Sequence, residues 1–434
     1  MSERIGLWIV VVGCSWGLLS KVAAASTNVS CSGDAPISIP AWSWMLDHCD
    51  PDEPDSIVGV MKRCGPSKTY DLVTNAGVRP YSCGHPIEVP RNSTLLSGNS
   101  ATVVASADLS YLVNLRNNGA EIQELSLDGA FRANHVVWAS RHPTDANKAC
   151  EKIGVRYSTV QRSRKASKAH LIHFSNCTDF TVTGSVLRWA GMDSGERFSH
   201  GASLISIQSG NQQDPSKSGR ITWNDLAYAL SSGIRMTDSV NMLVSHNRIE
   251  FTGQSSVARA DGITGYHSSA KTIGQDKHWT IEHNTIVDSD NHGIHVAGRG
   301  IVIRYNTLLR SRLHHIYLGD WRAIGGGMEC SVDSEIHHNT MDAPASKTHH
   351  AISLGPYDDA TVAVYGNTCA GASCDTEIRE PTPWCDEVCS ANDPDQRCQG
   401  RNSPGEGAEC ALDSDCDTAE GYACTPTSTG MRCR

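Results

Sequence analysis

Residues 280–318 read TIEHNTIVDSDNHGIHVAGRGIVIRYNTLLRSRLHHIYL. The stretch holds the same pair of phrases twice. EHNTI is followed by HGIHV, and RYNTL by HHIYL. Asn284 and Asn306 are 22 residues apart, as are Ile294 and Ile316. Working outward, the first phrase recurs with Asn224, Asn247, Asn339 and Asn367, and the second with Ile234, Ile263 and Ile352. Two strand-like phrases returning in fixed order mark a solenoid. A repeat of 22 or 23 residues suits three short strands with their turns. A leucine-rich repeat has a similar period but needs a leucine pattern absent here. Asn suits a ladder, because its amide both donates and accepts across the ~4.8 Å between stacked strands. It also tolerates the left-handed backbone that tight turns use. The Ile positions are expected to stack inside and fill the core.

With these phrases in view, residues 86–370 resemble the right-handed parallel β-helix proteins of the pectate-lyase-like superfamily. The opening HPIEVPRNSTLLSGNSATVV (85–104) is similar to the start of such helices, with a Val-Pro phrase and a Gly-Asn turn. EIQELSLDG (121–129) and CTDFTVTGSVL (177–187) read as further strand–turn–strand units, Ser185 taking the Asn place. The resemblance implies an all-β fold, a right-handed parallel β-helix. It does not select an activity, since the superfamily holds lyases, hydrolases, epimerases and non-catalytic surface proteins. The Gly-His-Gly and Asn-Thr-Asp phrases of polygalacturonases and the Asp-Pro-His-Asp phrase of alginate epimerases are absent.

The chain ends differ from the repeat. Residues 1–25 read as an export signal: Arg4, an apolar run from Ile5 to Leu19, and a small-residue cleavage site at Ala23–Ala25. Cys14 in a lipobox-like Val-Val-Gly-Cys offers a lipid anchor as the alternative to secretion. No later stretch reads as a membrane span. Residues 26–85 carry no ladder phrase and are expected to cap the open edge of the first rung. Residues 371–434 form an acidic, Cys-rich tail too poor in apolar residues for a core, so disulfides are expected to hold it. Of 17 Cys, six lie between Cys31 and Cys177 and ten between Cys330 and Cys433. This count after an export signal points to disulfides and an oxidising compartment. Asp413, Asp415 and Asp417 leave calcium as a possible cofactor, although alternate acidic residues are more often merely solvated.

Charge excludes one partner class. Residues 86–369 carry 26 acidic and 26 basic side chains, and the tail holds most of the net −10. A basic groove for nucleic acid is therefore not expected. An extracellular polysaccharide along a groove is the expected partner, and a monomer the expected state.

Insertions locate that groove. The long gaps hold 252–259, 266–277, 319–333 and 343–348, and all flank the strands of the Ile phrase. Loops on a rigid scaffold are where binding residues gather. With Ile inward, period two turns the next residue outward, giving a column of Arg235, Thr264, His295, Tyr317 and Ser353. Two places before each Ile stand Ser232, Asp261, His292, His314 and His350, in the turn. Twelve of 19 His fall between His246 and His350. A base, an acid and a cation are the parts needed for β-elimination in a uronate polymer. His295 and Tyr317 are candidates for the first two, Arg322 or Arg235 for the third, with His292, His314 and Asp290 beside them. Arg235, Asp261, Asp320, Trp321 and His350 are candidate substrate-binding residues. A metal set of His292 and His295 with Asp290 or His314 is an alternative. A hydrolase would use Asp261, Asp288, Asp290 or Asp320 instead, and an epimerase the same groove. A non-catalytic adhesin would explain the tail but not the His, Asp and Tyr gathered beside the longest gaps. His246, His283 and His338, just before ladder Asn residues, read as structural stacks.

Overall fold

The computed structural model describes residues 29–370 apart from 44, 75–79, 142–149, 165–168, 192–201, 210–215, 254–260, 267–275, 320–330, 343–349 and 356–360. Beyond these it describes only the strands Thr376–Ile378, Cys424–Thr427 and Gly430–Cys433. The export signal, the lipobox Cys14 and the three tail aspartates lie outside the described residues.

Three long parallel sheets carry the fold. Sheet I has 12 strands, from Ile37–Pro40 to Val362–Tyr365; sheet II has 11, from Tyr81–Cys83 to Thr368–Cys369; sheet III has 11, from Ile87–Glu88 to Thr376–Ile378. The chain visits them in turn. Arg299–Arg304 lies in sheet I, Thr307–Leu309 in sheet II, Ile316–Leu318 in sheet III, and Ser334–His337 returns to sheet I. Each circuit is one rung of a right-handed parallel β-helix.

Period two sorts the side chains. Ile234, Ile263, Ile294, Ile316 and Ile352 pair in register along sheet III and are buried. Val244, Ile281, Ile303 and Ile336 do the same in sheet I, and Ile249, Ile286, Leu308 and Met341 in sheet II. Full burial of one such side chain contributes about 1.5–3 kcal/mol, so the stacked columns are the main stabilising force. The glycine before the Ile is a packing requirement. A Cβ on Gly293 would stand 2.7 Å from the carbonyl oxygen of His315 on the next rung, and one on Gly262 2.6 Å from that of Gly293.

The Asn ladder forms as the repeat requires. Nδ2 of Asn224, Asn247, Asn284, Asn306 and Asn339 donates in each case to Oδ1 of the next, at 2.9–3.0 Å. Each Oδ1 from Asn247 to Asn367 also accepts the backbone N–H of the preceding ladder residue. Ser185 continues the ladder, its N–H donating to Asn224 Oδ1 at 3.0 Å. One expectation is corrected. The left-handed backbone falls not on Asn but on the residue before it: Trp223, His246, His283, Tyr305 and His338 all have φ between 53° and 61°. The chain reverses there, which leaves each Asn side chain free to point along the ladder. The rings of those five residues stack in sequence, at centroid distances from 4.0 to 5.3 Å. A left-handed non-glycine residue costs roughly 1–2 kcal/mol, which ladder and ring stack together offset.

The segment 26–85 does more than cover an edge. Ile37–Pro40 and Thr69–Val73 are the first two strands of sheet I, and Tyr81–Cys83 is the first of sheet II. Their alternating burial shows why, since Ile37 and Ile39 face the core. Between them the helix Ile57–Cys64 buries Ile57, Val60 and Met61 in the same core. Its N-cap Ser56 accepts the N–H of Gly59 through Oγ at 2.9 Å, and Gly65 closes its C-terminus. The six early cysteines pair as Cys31–Cys64, Cys49–Cys83 and Cys150–Cys177. Among the described residues no helix is long and apolar enough to cross a membrane.

Candidate functional site

Sheet III carries the candidate site. The long gaps adjoin the ends of its strands, and their central residues lie outside the described ones, so the site is built from the strands and their immediate flanks. The outward column is in register: Arg235 pairs with Thr264, Thr264 with His295, His295 with Tyr317, and Tyr317 with Ser353. It is recessed. Thr264 and His295 are buried, and Arg235 and Tyr317 half-buried.

Four aromatic rings meet there. His295 and Tyr317 are edge to face at 4.9 Å. His292 lies edge to face with His295 at 5.1 Å and stacks on both Tyr317 and His314, at 5.1 and 5.3 Å. The turn column thus converges on the outward column, and His292, His295, His314 and Tyr317 form one cluster. His350 stacks on His314 at 6.1 Å, at the edge of that group.

Asp261 anchors the cluster. Its side chain is fully buried. Oδ1 accepts the Asn291 amide at 2.6 Å and the His292 backbone N–H at 3.1 Å. Oδ2 lies 3.6 Å from His295 Nδ1 and accepts no hydrogen bond among the described residues. Burial alone would raise this carboxyl, but His295 and His292 outweigh it and hold the carboxyl below its usual range. A buried carboxylate with one oxygen tied and the other facing an imidazole is the arrangement that orients a general base.

The backbone sets the tautomer of His292. The N–H of His314 donates to His292 Nδ1 at 3.3 Å. A ring nitrogen that accepts carries no proton, so the proton of the neutral His292 ring is on Nε2. His314 Nδ1 meets both the N–H of His350 at 3.0 Å and its carbonyl oxygen at 3.2 Å, so either tautomer finds a partner there. Burial pushes His292 down to about 3, against the pull of Asp261 upward, so it is neutral at ordinary pH.

Asp261, His292 and His295 also offer ligand atoms within 4.8 Å of one another. Two imidazoles and a carboxylate suit zinc-like ions rather than calcium, which prefers an all-oxygen shell. A cation there would require His292 to exchange its Nδ1 bond or lose its Nε2 proton. The carboxylate of this set is Asp261, not the Asp290 expected from the sequence.

Other expected residues are placed elsewhere. Asp290 pairs with Arg312 at 3.3 Å, and Asp288 takes a two-pronged bond from Arg310 at 2.7 Å. Arg235 donates to the Tyr266 hydroxyl and lies over its ring, two rungs from His295. Asp320, Trp321 and Arg322 lie outside the described residues. Sequence reasoning missed Asn291 and Tyr266. The first had a signal, being adjacent to His292 in the phrase that supplies two site histidines. His315, next to His314, is tied into other contacts. It is buried and held between Ser311 Oγ at 3.0 Å and Asp342 Oδ1 at 2.9 Å.

No protein-family model and no curated protein matches this sequence. Solved structures do. The A-module of the mannuronan C-5 epimerase AlgE4 from Azotobacter vinelandii is 12% identical, over 78% of this chain and 96% of that one, with a TM-score of 0.49. PfbA, a surface adhesin of Streptococcus pneumoniae, is 11% identical over 77% and 90%, with a TM-score of 0.48. The catalytic unit of a GH87 α-1,3-glucanase from Streptomyces thermodiastaticus is 11% identical over 83% and 72%, with a TM-score of 0.38. No activity is carried over from them. Three parallel sheets, visited in turn from Thr69–Val73 onward, make this chain a right-handed parallel β-helix protein.

Proposed function

We propose that the groove of sheet III acts on an extracellular polysaccharide, and that its chemistry is β-elimination in a uronate chain. The observation that carries this reading is the Asp261–His295–Tyr317 constellation: a buried carboxylate 3.6 Å from His295 Nδ1, with Tyr317 beside His295 on the next rung. His295 takes the proton from the carbon next to the sugar carboxylate. That electron pair forms the double bond, the bond to the leaving glycosidic oxygen breaks, and Tyr317 supplies that oxygen with a proton. Asp261 orients His295 and stabilises it once protonated. His292 presents an Nε2–H donor. Arg235, about 10 Å away by rung spacing, serves the carboxylate of a neighbouring sugar. Arg322 is the proposed partner of the reacting carboxylate. The three early disulfides support an oxidising, extracytoplasmic setting.

The hydrolase reading has less support. It needs two carboxyls about 5–9.5 Å apart across the bond. Asp261 is the carboxylate of the cluster, while Asp288 and Asp290 are held by Arg310 and Arg312. The test is a panel of acidic and neutral polysaccharides incubated with purified protein. Ultraviolet-absorbing unsaturated ends are the expected result. New reducing ends without that absorbance would sustain a hydrolase, inverted sugar stereochemistry without new ends an epimerase, and binding alone an adhesin. Each of these three outcomes overturns the elimination.

A further inference from the structure

The phrase His-x-x-His occurs twice on sheet III. It reads His170-Leu-Ile-His173 and His292-Gly-Ile-His295. Both copies occupy the same place in a rung, because Ile172, Ile205, Ile234, Ile263 and Ile294 are successive register partners. The first His stands in the turn and the second in the outward column. His173 and His295 are therefore four rungs apart, about 19 Å.

The surroundings of the first copy match the second in part. His135, His170 and His173 stack mutually at 5.0–5.6 Å. His135 Nδ1 accepts the N–H of His170 at 3.3 Å, and His170 Nδ1 that of Ser203 at 3.0 Å, so these turn histidines have the same tautomer as His292. The differences are informative. Where Asp261 stands behind His295, His135 stands behind His173. Where Tyr317 follows His295, Ser206 follows His173. Among the described residues no carboxylate orients His173 as a base, and Ser206, not a phenol, stands beside it on the next rung. Instead Trp138 precedes it in the column, half-buried and flat against Tyr111 at 5.1 Å and 12°. His173 Nδ1 is buried and makes no hydrogen bond among the described residues, which leaves Nε2 for a ligand.

We propose that Trp138 and His173 form a non-catalytic sugar subsite for the chain that runs through the groove to His295. Trp138, one ring face of which rests on Tyr111, offers its remaining exposed apolar surface to the C–H groups of one pyranose, and His173 a hydrogen bond to one of its hydroxyls. Burial, His135 and Arg235 push His173 down to about 3, so it meets the sugar as a neutral group. The subsite reads hydroxyls and ring shape, whereas the Arg235–His295 end reads charge. This inference rests on the proposed polysaccharide reading of the groove.

The experiment compares wild type, Trp138→Ala and His173→Ala on a soluble polyuronate and on its oligomers. Retardation in polymer-containing gels reports binding independently of turnover, and circular dichroism reports folding. Should Trp138→Ala fail to fold, Trp138→Leu and His173→Gln carry the same comparison. The expected result is a rise in KM of roughly tenfold on the polymer, equal to about 1.4 kcal/mol, with kcat unchanged. Oligomers too short to span ~19 Å should be unaffected. Equal effects on short and long substrates, or no effect on the polymer in a folded variant, overturn the subsite alone. A wild type that neither binds nor cleaves any polysaccharide overturns the subsite together with the reading beneath it.

Discussion

The asparagine ladder and the histidine turn column run up the same solenoid and use the same kind of bond, yet they end in different states. Each central ladder Asn is used up. Asn284 Oδ1 accepts from the backbone and amide of Asn247, and its Nδ2 donates to Val244 O and Asn306 Oδ1. Nothing is left for a ligand. A turn histidine spends only Nδ1 on the rung above, as His292 does on His314. An amide offers a matched set of donors and acceptors to a periodic backbone; an imidazole offers one too many. The difference teaches where a solenoid places structure and where it leaves chemistry available.

The largest effect should come from the groove side. His295→Ala and Tyr317→Phe are expected to lower kcat on the cleaved polymer by about 10²–10⁴, Tyr317→Phe with thermal stability nearly unchanged and His295→Ala with some loss, because Asp261 then keeps a buried charge without its partner. Asp261→Asn should lower it less, since it orients rather than transfers. Initial rates by ultraviolet absorbance check this, and full activity in both His295→Ala and Tyr317→Phe removes the assignment.

The ladder side predicts the opposite signature. Asn284→Ala strands the backbone N–H and Nδ2 of Asn247 together with Val244 O, and takes from Asn306 Oδ1 one of its two donors. At about 1–3 kcal/mol for each unsatisfied buried group, partly relieved by relaxation, a loss near 3 kcal/mol is expected. Denaturant unfolding should show it, while kcat per folded molecule stays at the wild-type value.

A third effect sets histidines against pH. His135 is pushed down to about 4 and His173 to about 3, mainly by burial, and His170 also lies well below its ordinary value. Unfolded histidines titrate near 6.5. The unfolded chain therefore binds protons first as pH falls. The stability these groups contribute is present above ~6.5 and is lost on the way down towards 4 and 3, by up to about 1.4 kcal/mol per unit per histidine. His135→Gln should flatten the stability profile between pH 6.5 and 5 by roughly 1–2 kcal/mol. A slope identical to wild type would mean that the cluster is protonated in the folded state.

Much of this was legible in the residues, for identifiable reasons. Asn at a spacing of 22 and Ile ten residues after it are period signals, and period is what a solenoid repeats. His295 beside Tyr317 followed from the same count. Asp261 emerged as the partner of His295, although Asp290 lies nearer in sequence, because a neighbour in a solenoid is one rung away rather than five residues away. The strands inside 26–85 were missed because they lack the Asn phrase, although Ile37 and Ile39 alternate correctly. The left-handed residue was placed one position late, since Asn tolerates that backbone but here is needed for its side chain.

The smallest effect sharpens the contrast most. His283 is as much a histidine as His292 and stacks between His246 and Tyr305 at 4.9 and 5.1 Å. It lies in the turn between sheets I and II, away from sheet III, at φ 55°. His283→Ala loses two ring contacts of about 0.5–1.5 kcal/mol each at most and places Ala in a left-handed backbone. A Tm drop of a few degrees with unchanged kcat and KM is the expected outcome. His283→Asn, which keeps a residue tolerant of that backbone, should recover part of the stability. A loss of activity in either variant would show that stacked histidines do not divide into structural and functional sets by the sheet they adjoin, and the comparison between the two columns would fail.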